Sequence, residues 1–166
     1  MPPDIAGAAH LAWLARAYLD ADYRWELDGD WHDLHIGLPA PGLELAHPEA
    51  VSFGFISAWN PYSRERPEAD NRAADHALHQ VLIESGCPFR AALASAPNRN
   101  WREPSWLVMG LALARFDPLM GRFGQLGTLW WLPGGPVRLR MDAARPVDFA
   151  DDEHVDWLQA SADHRP

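Results

Sequence analysis

Three short stretches concentrate side chains able to hold a ligand or move a proton: Asn60-Pro61-Tyr62-Ser63-Arg64, Trp101-Arg102-Glu103-Pro104-Ser105, and Phe123-Gly124-Gln125. Each lies where an apolar run gives way to turn residues, the place where a rigid scaffold presents a site. Arg64 and Arg102 are suited to a carboxylate or phosphate, Glu103 to general-base work, and Trp59 or Trp101 to stacking on a ring. Asn60, Ser63, Asn71, Ser105 and Gln125 add neutral hydrogen-bonding groups. Glu103 is the candidate catalytic residue; Asn60, Ser63, Arg64, Asn71, Trp101, Arg102, Ser105 and Gln125 are the candidate ligand contacts. The same residues also have a structural reading. Asn and Ser beside Pro stabilise turns, Gln125 is placed to tie a helix end to a sheet, and Glu103 is open to pairing with an Arg.

The elements that must position these groups start from Ser52–Trp59, an apolar run on both faces and hence a central strand, which the Asn60-Pro61 turn stops. A helix follows from about Pro67 to Ser85 with Gly86 as its stop and Ala74, Leu78, Val81 and Leu82 as its core stripe. Asn71 continues that stripe, so a polar amide is buried at the helix start and needs partners, for which the 60–64 loop is in reach. Phe89–Ser95 and Ser105–Ala114 read as strands, the second beside Ser52–Trp59. Asp117-Pro118 reads as an N-cap and first-turn proline opening a short helix that Gly124 closes. Thr128–Leu132 and Val137–Met141 flank Pro-Gly-Gly-Pro as a hairpin. Upstream, Ile5–Leu19 reads as a helix capped by Asp4, and Leu34–Leu38 as a strand. Asp151–Ala160 reads as a last helix carrying Val155, Trp157 and Leu158. The order from residue 52 implies a single α+β domain over residues 1–166. Its mixed or antiparallel sheet carries packed helices in a split β-α-β plan with a C-terminal hairpin, and residues from about 150 form an acidic tail.

These motifs resemble the DUF3293 family of bacterial proteins. The matching residues are Ala17-Tyr18, Ala58-Trp59-Asn60-Pro61 with Ser63, the early-helix Asn71, Trp101 with Glu103-Pro104-Ser105, and Phe123-Gly124-Gln125, in the family's order. Leu126-Gly127 depart from it, standing where the family tends to have Asn-Ala. The family is named for lacking an established activity, so the resemblance implies none.

Composition narrows the function classes. All 14 basic residues are Arg and the formal charge is −9, which disfavours general nucleic-acid binding. Without Lys, a P-loop ATPase and a Schiff-base lysine enzyme are excluded. One cysteine, Cys87, rules out an internal disulfide and suits a reducing, cytoplasmic setting. No window is long and apolar enough for a membrane span, and no secretory signal is expected. His32/His35 and His76/His79 have metal-ligand spacing but lack third and fourth ligands, so no metal or cofactor is expected. The leading expectation is a small soluble ligand-binding or regulatory domain with a polar cleft. The alternative is a small hydrolase or transferase using Glu103 as base. A third is an interaction module, including a homodimer, that docks through the tail.

Overall fold

In the computed structural model, which describes residues 5–160, Phe53–Ser57 (β3) is buried at all five positions. Such a strand needs cover on both faces, and it has it. The eight-stranded sheet runs β2-β1-β4-β5-β3-β6-β7-β8. The other strands are Asp22–Leu27 (β1), Asp30–Leu34 (β2), Phe89–Ser95 (β4), Arg102–Met109 (β5), Gly127–Trp131 (β6), Leu139–Ala144 (β7) and Val155–Gln159 (β8). All neighbours are antiparallel except β7 and β8, which run parallel.

Side chains alternate between faces along a strand, and this alternation divides the core. Phe53 and Phe55 join one apolar cluster with Ala12 and Ala15 of Ile5–Asp20 (α1) and Leu43 of Pro41–Ala46 (α2). Ile56 joins the other, with Leu78 and Leu82 of Glu68–Ser85 (α3) and Phe116, Leu119 and Phe123 of Leu113–Phe123 (α4). The sheet is therefore sandwiched, α1 and α2 on one side and α3 and α4 on the other. Gly54 is what lets α4 approach: a Cβ there would stand 2.6 Å from the Phe116 ring. On β5 the same period sends Glu103, Ser105 and Leu107 toward α1, while Trp106 faces α3 and donates to Asp75 at 2.9 Å.

The central strand, the helix ending at Gly86, the strand at 89–95 and the hairpin stand as expected, and the α+β class holds. Gly86 takes φ 73°, the left-handed geometry that a glycine stop supplies. Four expectations are corrected. The strand expected at 34–38 ends at Leu34 and is one arm of a hairpin. Its partner β1 went unread, although Asp28-Gly29, with φ 52° and 91°, supplies the tight Asp-Gly turn. The strand expected at 105–114 lies at Arg102–Met109, because Gly110, at φ 84°, ends it. The helix expected at Asp117 begins at Leu113 instead, leaving Pro118 inside it. The Asp117 carboxylate does not cap; it pairs with Arg140 at 3.0 and 2.6 Å. The expected tail helix is strand β8. Val155 enters the core, while Asp156 holds Arg138 at 2.8 and 3.0 Å. Trp157 packs edge-on against Phe149, so two of the three residues expected to dock on a partner are occupied within the chain. Asp4 lies outside the described residues. No described helix is long and apolar enough to cross a membrane.

Candidate functional site

The turn after β3 adopts a conformation that ordinary residues avoid. Asn60, Tyr62 and Ser63 all have positive φ, at 46°, 56° and 58°. L-residues pay steric strain there, so the surroundings must enforce it. Asn71 does most of the enforcing. Its Oδ1 accepts the Asn60 backbone N–H at 2.8 Å, and its Nδ2 donates to Asn60 Oδ1 at 2.9 Å. Arg66 braces the pair, donating to Asn71 Oδ1 at 2.7 Å and to the Ala58 carbonyl at 2.9 Å. From the other side, the Tyr62 N–H donates to the Gly124 carbonyl at 2.7 Å. Gly124 has φ 64°, and a Cβ on it would stand 2.7 Å from Pro61 Cβ. Gln125 completes the clamp by donating to the Trp59 and Phe123 carbonyls at 3.0 and 3.1 Å.

This turn faces the start of β5, as the antiparallel pairing of Ser57 with Ser105 requires. Glu103 Oε1 accepts from Trp101 Nε1 at 2.8 Å and, at a longer 3.5 Å, from Asn60 Nδ2. Among the described residues no Arg or His pairs with this carboxyl. Burial pushes it up from 4.5 to about 7, partly offset by the hydrogen bonds from Trp101 and Asn60. Ser105 instead bonds the Glu103 backbone carbonyl at 2.9 Å, and Ser57 the Pro104 carbonyl at 2.8 Å. These fix the strand, not a ligand.

Opposite Glu103 stand two tyrosines. The Tyr18 hydroxyl lies 3.2 Å from Ser63 Oγ, and the Tyr23 hydroxyl donates to the Tyr18 carbonyl at 2.5 Å. Desolvation, with the nearby Glu103 charge, raises Tyr18 to about 12; desolvation, then Tyr18 and Glu103, raises Tyr23 well above 10. Both stay neutral. The Tyr18 ring lies flush on Gly127, where a Cβ would come within 2.9 Å.

Between α1 and the sheet these groups line a half-open cavity of about 240 Å³. Trp13, Tyr18, Tyr23 and Trp101 wall it, and Glu103, Ser63 and Ser95 supply polar groups. A recess of about 20 Å³ shares Tyr18, Tyr23, Ala94 and Glu103 with it and reaches inward to Ser105 and Gln125.

The structure thus brings Ser63, Trp101 and Glu103 to the cavity, with Asn60 bonded to Glu103 and Ser105 and Gln125 behind it. Asn71 sits beneath the turn, 2% exposed, as a brace. Arg64 and Arg102 are exposed and outside the lining; Trp59, partly buried, is outside it too. The α1 and β1 aromatics and Ser95 were not singled out as site residues from the sequence. Tyr18 stood in the family pattern, and that was the one available signal. His79 is stacked on Trp106 at 4.6 Å, and His32 packs on Trp25. Among the described residues no three His, Cys, Asp or Glu gather as metal ligands.

The family model described as a protein of unknown function (DUF3293) matches residues 56–127. Over that span, from within β3 to the first residue of β6, the chain is similar to the DUF3293 family, as its motifs suggested. No curated protein and no solved structure matches the chain. The matched span contains the turn, its brace and Glu103. The α1 and β1 walls of the cavity lie outside it.

Two outcomes follow from this geometry. Asn71→Ala strands the Asn60 N–H and an Arg66 donor, and should lower unfolding stability by roughly 1–3 kcal/mol, read by denaturant titration; an unchanged midpoint would refute the brace. The second concerns pH. Glu103 titrates near 7 when folded against 4.5 unfolded, so the folded protein holds an extra proton between those values. Its stabilising contribution is full below about 4.5 and is lost as pH rises through about 7. Glu103→Gln lacks that loss and should gain on the order of 2–3 kcal/mol over the parent at about pH 8 relative to about pH 4. Parallel stability curves would contradict it.

Proposed function

We propose that this domain binds a small molecule in the cavity between α1 and the sheet, with Glu103 as its principal polar contact. The observation that carries this reading is a carboxyl without a cationic partner among the described residues, set in the wall of a half-open, largely apolar space. Concave apolar sites with a few convergent polar groups are the usual form of small-molecule sites. Burying a carboxyl without a cation costs stability, which fits a position kept for binding rather than for folding. The anion expected from Arg64 or Arg102 finds less support, since neither reaches the lining.

A fragment screen followed by amide and indole NMR tests the reading. Hits should shift Ala94, Ser95, Trp101 and Glu103 together. Ala94→Leu, which fills the space shared by cavity and recess, should abolish those shifts while leaving a dispersed spectrum. Hits mapping elsewhere, or surviving Ala94→Leu unchanged, would overturn it.

A second reading, catalysis, is favoured by one feature: a carboxyl near 7 is matched to general-base work at neutral pH. The residues of the lining whose hydroxyls lie beside Glu103 are Tyr18, Tyr23 and Ser63. Turnover of any member of a chromogenic ester, amide and phosphate panel that falls about a hundredfold or more in Glu103→Gln would support this reading. Turnover indifferent to that substitution would refute it.

A further inference from the structure

The cavity's walls and its one ionisable polar group point to a definite ligand chemistry. Around the space stand two indoles and two phenols, and the carboxyl among them faces no Arg, Lys or His of the lining. Aromatic faces carry negative quadrupole potential and attract cations, most strongly for Trp. A carboxylate beside them attracts the same charge and repels its opposite. An anion would meet both repulsions. A neutral ligand would leave the charged form of Glu103 without a counter-ion.

We infer that the occupant is an organic monocation, a one- or two-ring amine or amidine, seated with its nitrogen on Glu103 and its ring against Trp13, Trp101 and Tyr18. This rests on the binding reading above and narrows it to a class. Size agrees. A cavity of about 150 Å³ accepts benzene, so about 240 Å³ admits one or two rings with a short arm. Glu103 Oε1 already accepts from Trp101, and Oε2 has no hydrogen-bond partner among the described residues. One carboxylate oxygen is thus held while the other is open to an N–H. Ser63 in the lining adds a hydroxyl that accepts from a further N–H group of the head. Trp13, 62% exposed on the outer turn of α1, is placed to cover the ring on entry.

The inference includes a pH response. The titratable groups that face Glu103 are Tyr18 and Tyr23, from α1 and β1; the lining residues of β4, Ala94 and Ser95, carry no charge. Both tyrosines remain neutral throughout the range concerned, so Glu103 alone sets the profile. Binding a cation favours the carboxylate and expels the proton, so affinity should climb from about pH 5.5 to about pH 8 and then level off.

The test uses one ring with three heads: tryptamine, tryptophol and indole-3-acetate, titrated calorimetrically against the full chain and Glu103→Gln. Tryptamine keeps its charge over this pH range. It should bind at least about tenfold more tightly than tryptophol and more tightly still than the acetate at about pH 8. It should lose about tenfold or more at about pH 5.5, and a similar factor in Glu103→Gln, whose fold the stability curves check independently. Equal or tighter binding of tryptophol or the acetate would overturn the cation assignment while leaving a small-molecule site standing. Tryptamine binding that ignores both pH and Glu103→Gln would overturn it too. If none of the three binds but the fragment screen maps hits to the cavity, the class is wrong and the site is right. If neither gives binding, both readings fall.

Discussion

Everything at the site depends on the paired amide contact between Asn60 and Asn71. The chain leaves β3 at the centre of the sheet and must reverse within a few residues to start α3. It does so through left-handed conformations that Asn, Tyr and Ser do not hold alone. Two short hydrogen bonds between the amide groups, locked by Arg66, hold that geometry from within the protein. The consequence reaches the cavity directly. With the turn so held, Asn60 Nδ2 lies over Glu103 and Ser63 Oγ lies against the Tyr18 hydroxyl. A buried, satisfied polar contact here supplies position more than stability.

The electrostatics run against stability in a specific way. Elsewhere the chain pairs several of its charges: Arg138 with Asp156 of β8, Arg140 with Asp117 of α4, and Arg24 with Asp33 of β2. At Glu103 it does the reverse. The carboxyl has an indole and an amide for company and no cation among the described residues. A group left this way is costly in a folding sense and useful in a recognition sense, because an arriving cation restores the missing charge.

Much of the scaffold was legible because it is written in strong local signals. The all-apolar run of β3, the glycine stops at Gly86 and Gly124, and the Pro-Gly-Gly-Pro hairpin each follow from backbone chemistry over a few residues. Asn71 was legible too, since a polar residue in a buried stripe must find partners. The failures also have physical causes. Asp117 in front of Pro118 carries the signature of a cap, but its carboxylate gains more from Arg140, a contact 23 residues away that no local rule sees. The last strand hid in an acidic stretch because its one charged residue, Asp156, pairs with Arg138 and Arg140 from the neighbouring segment. The site's α1 half was illegible for a different reason. Trp13, Tyr18 and Tyr23 read as core or helix-end aromatics, and only the three-dimensional placement of α1 over β1 and β4 turns them into walls. Arg64 and Arg102 show the converse: they have the right residue type beside the right motif, yet their side chains leave for solvent.

The central claim is that Glu103 is a half-buried carboxyl with no cationic partner among the described residues, held open toward the cavity. A carbon-detected NMR titration of glutamate-labelled protein, with the Glu103 side-chain carboxyl assigned by its absence in Glu103→Gln, measures this directly. The account predicts a midpoint of about 7, moving down when a bound cation is present. A midpoint near the ordinary 4.5 would contradict it, because a carboxyl that titrates normally is either solvated or already paired.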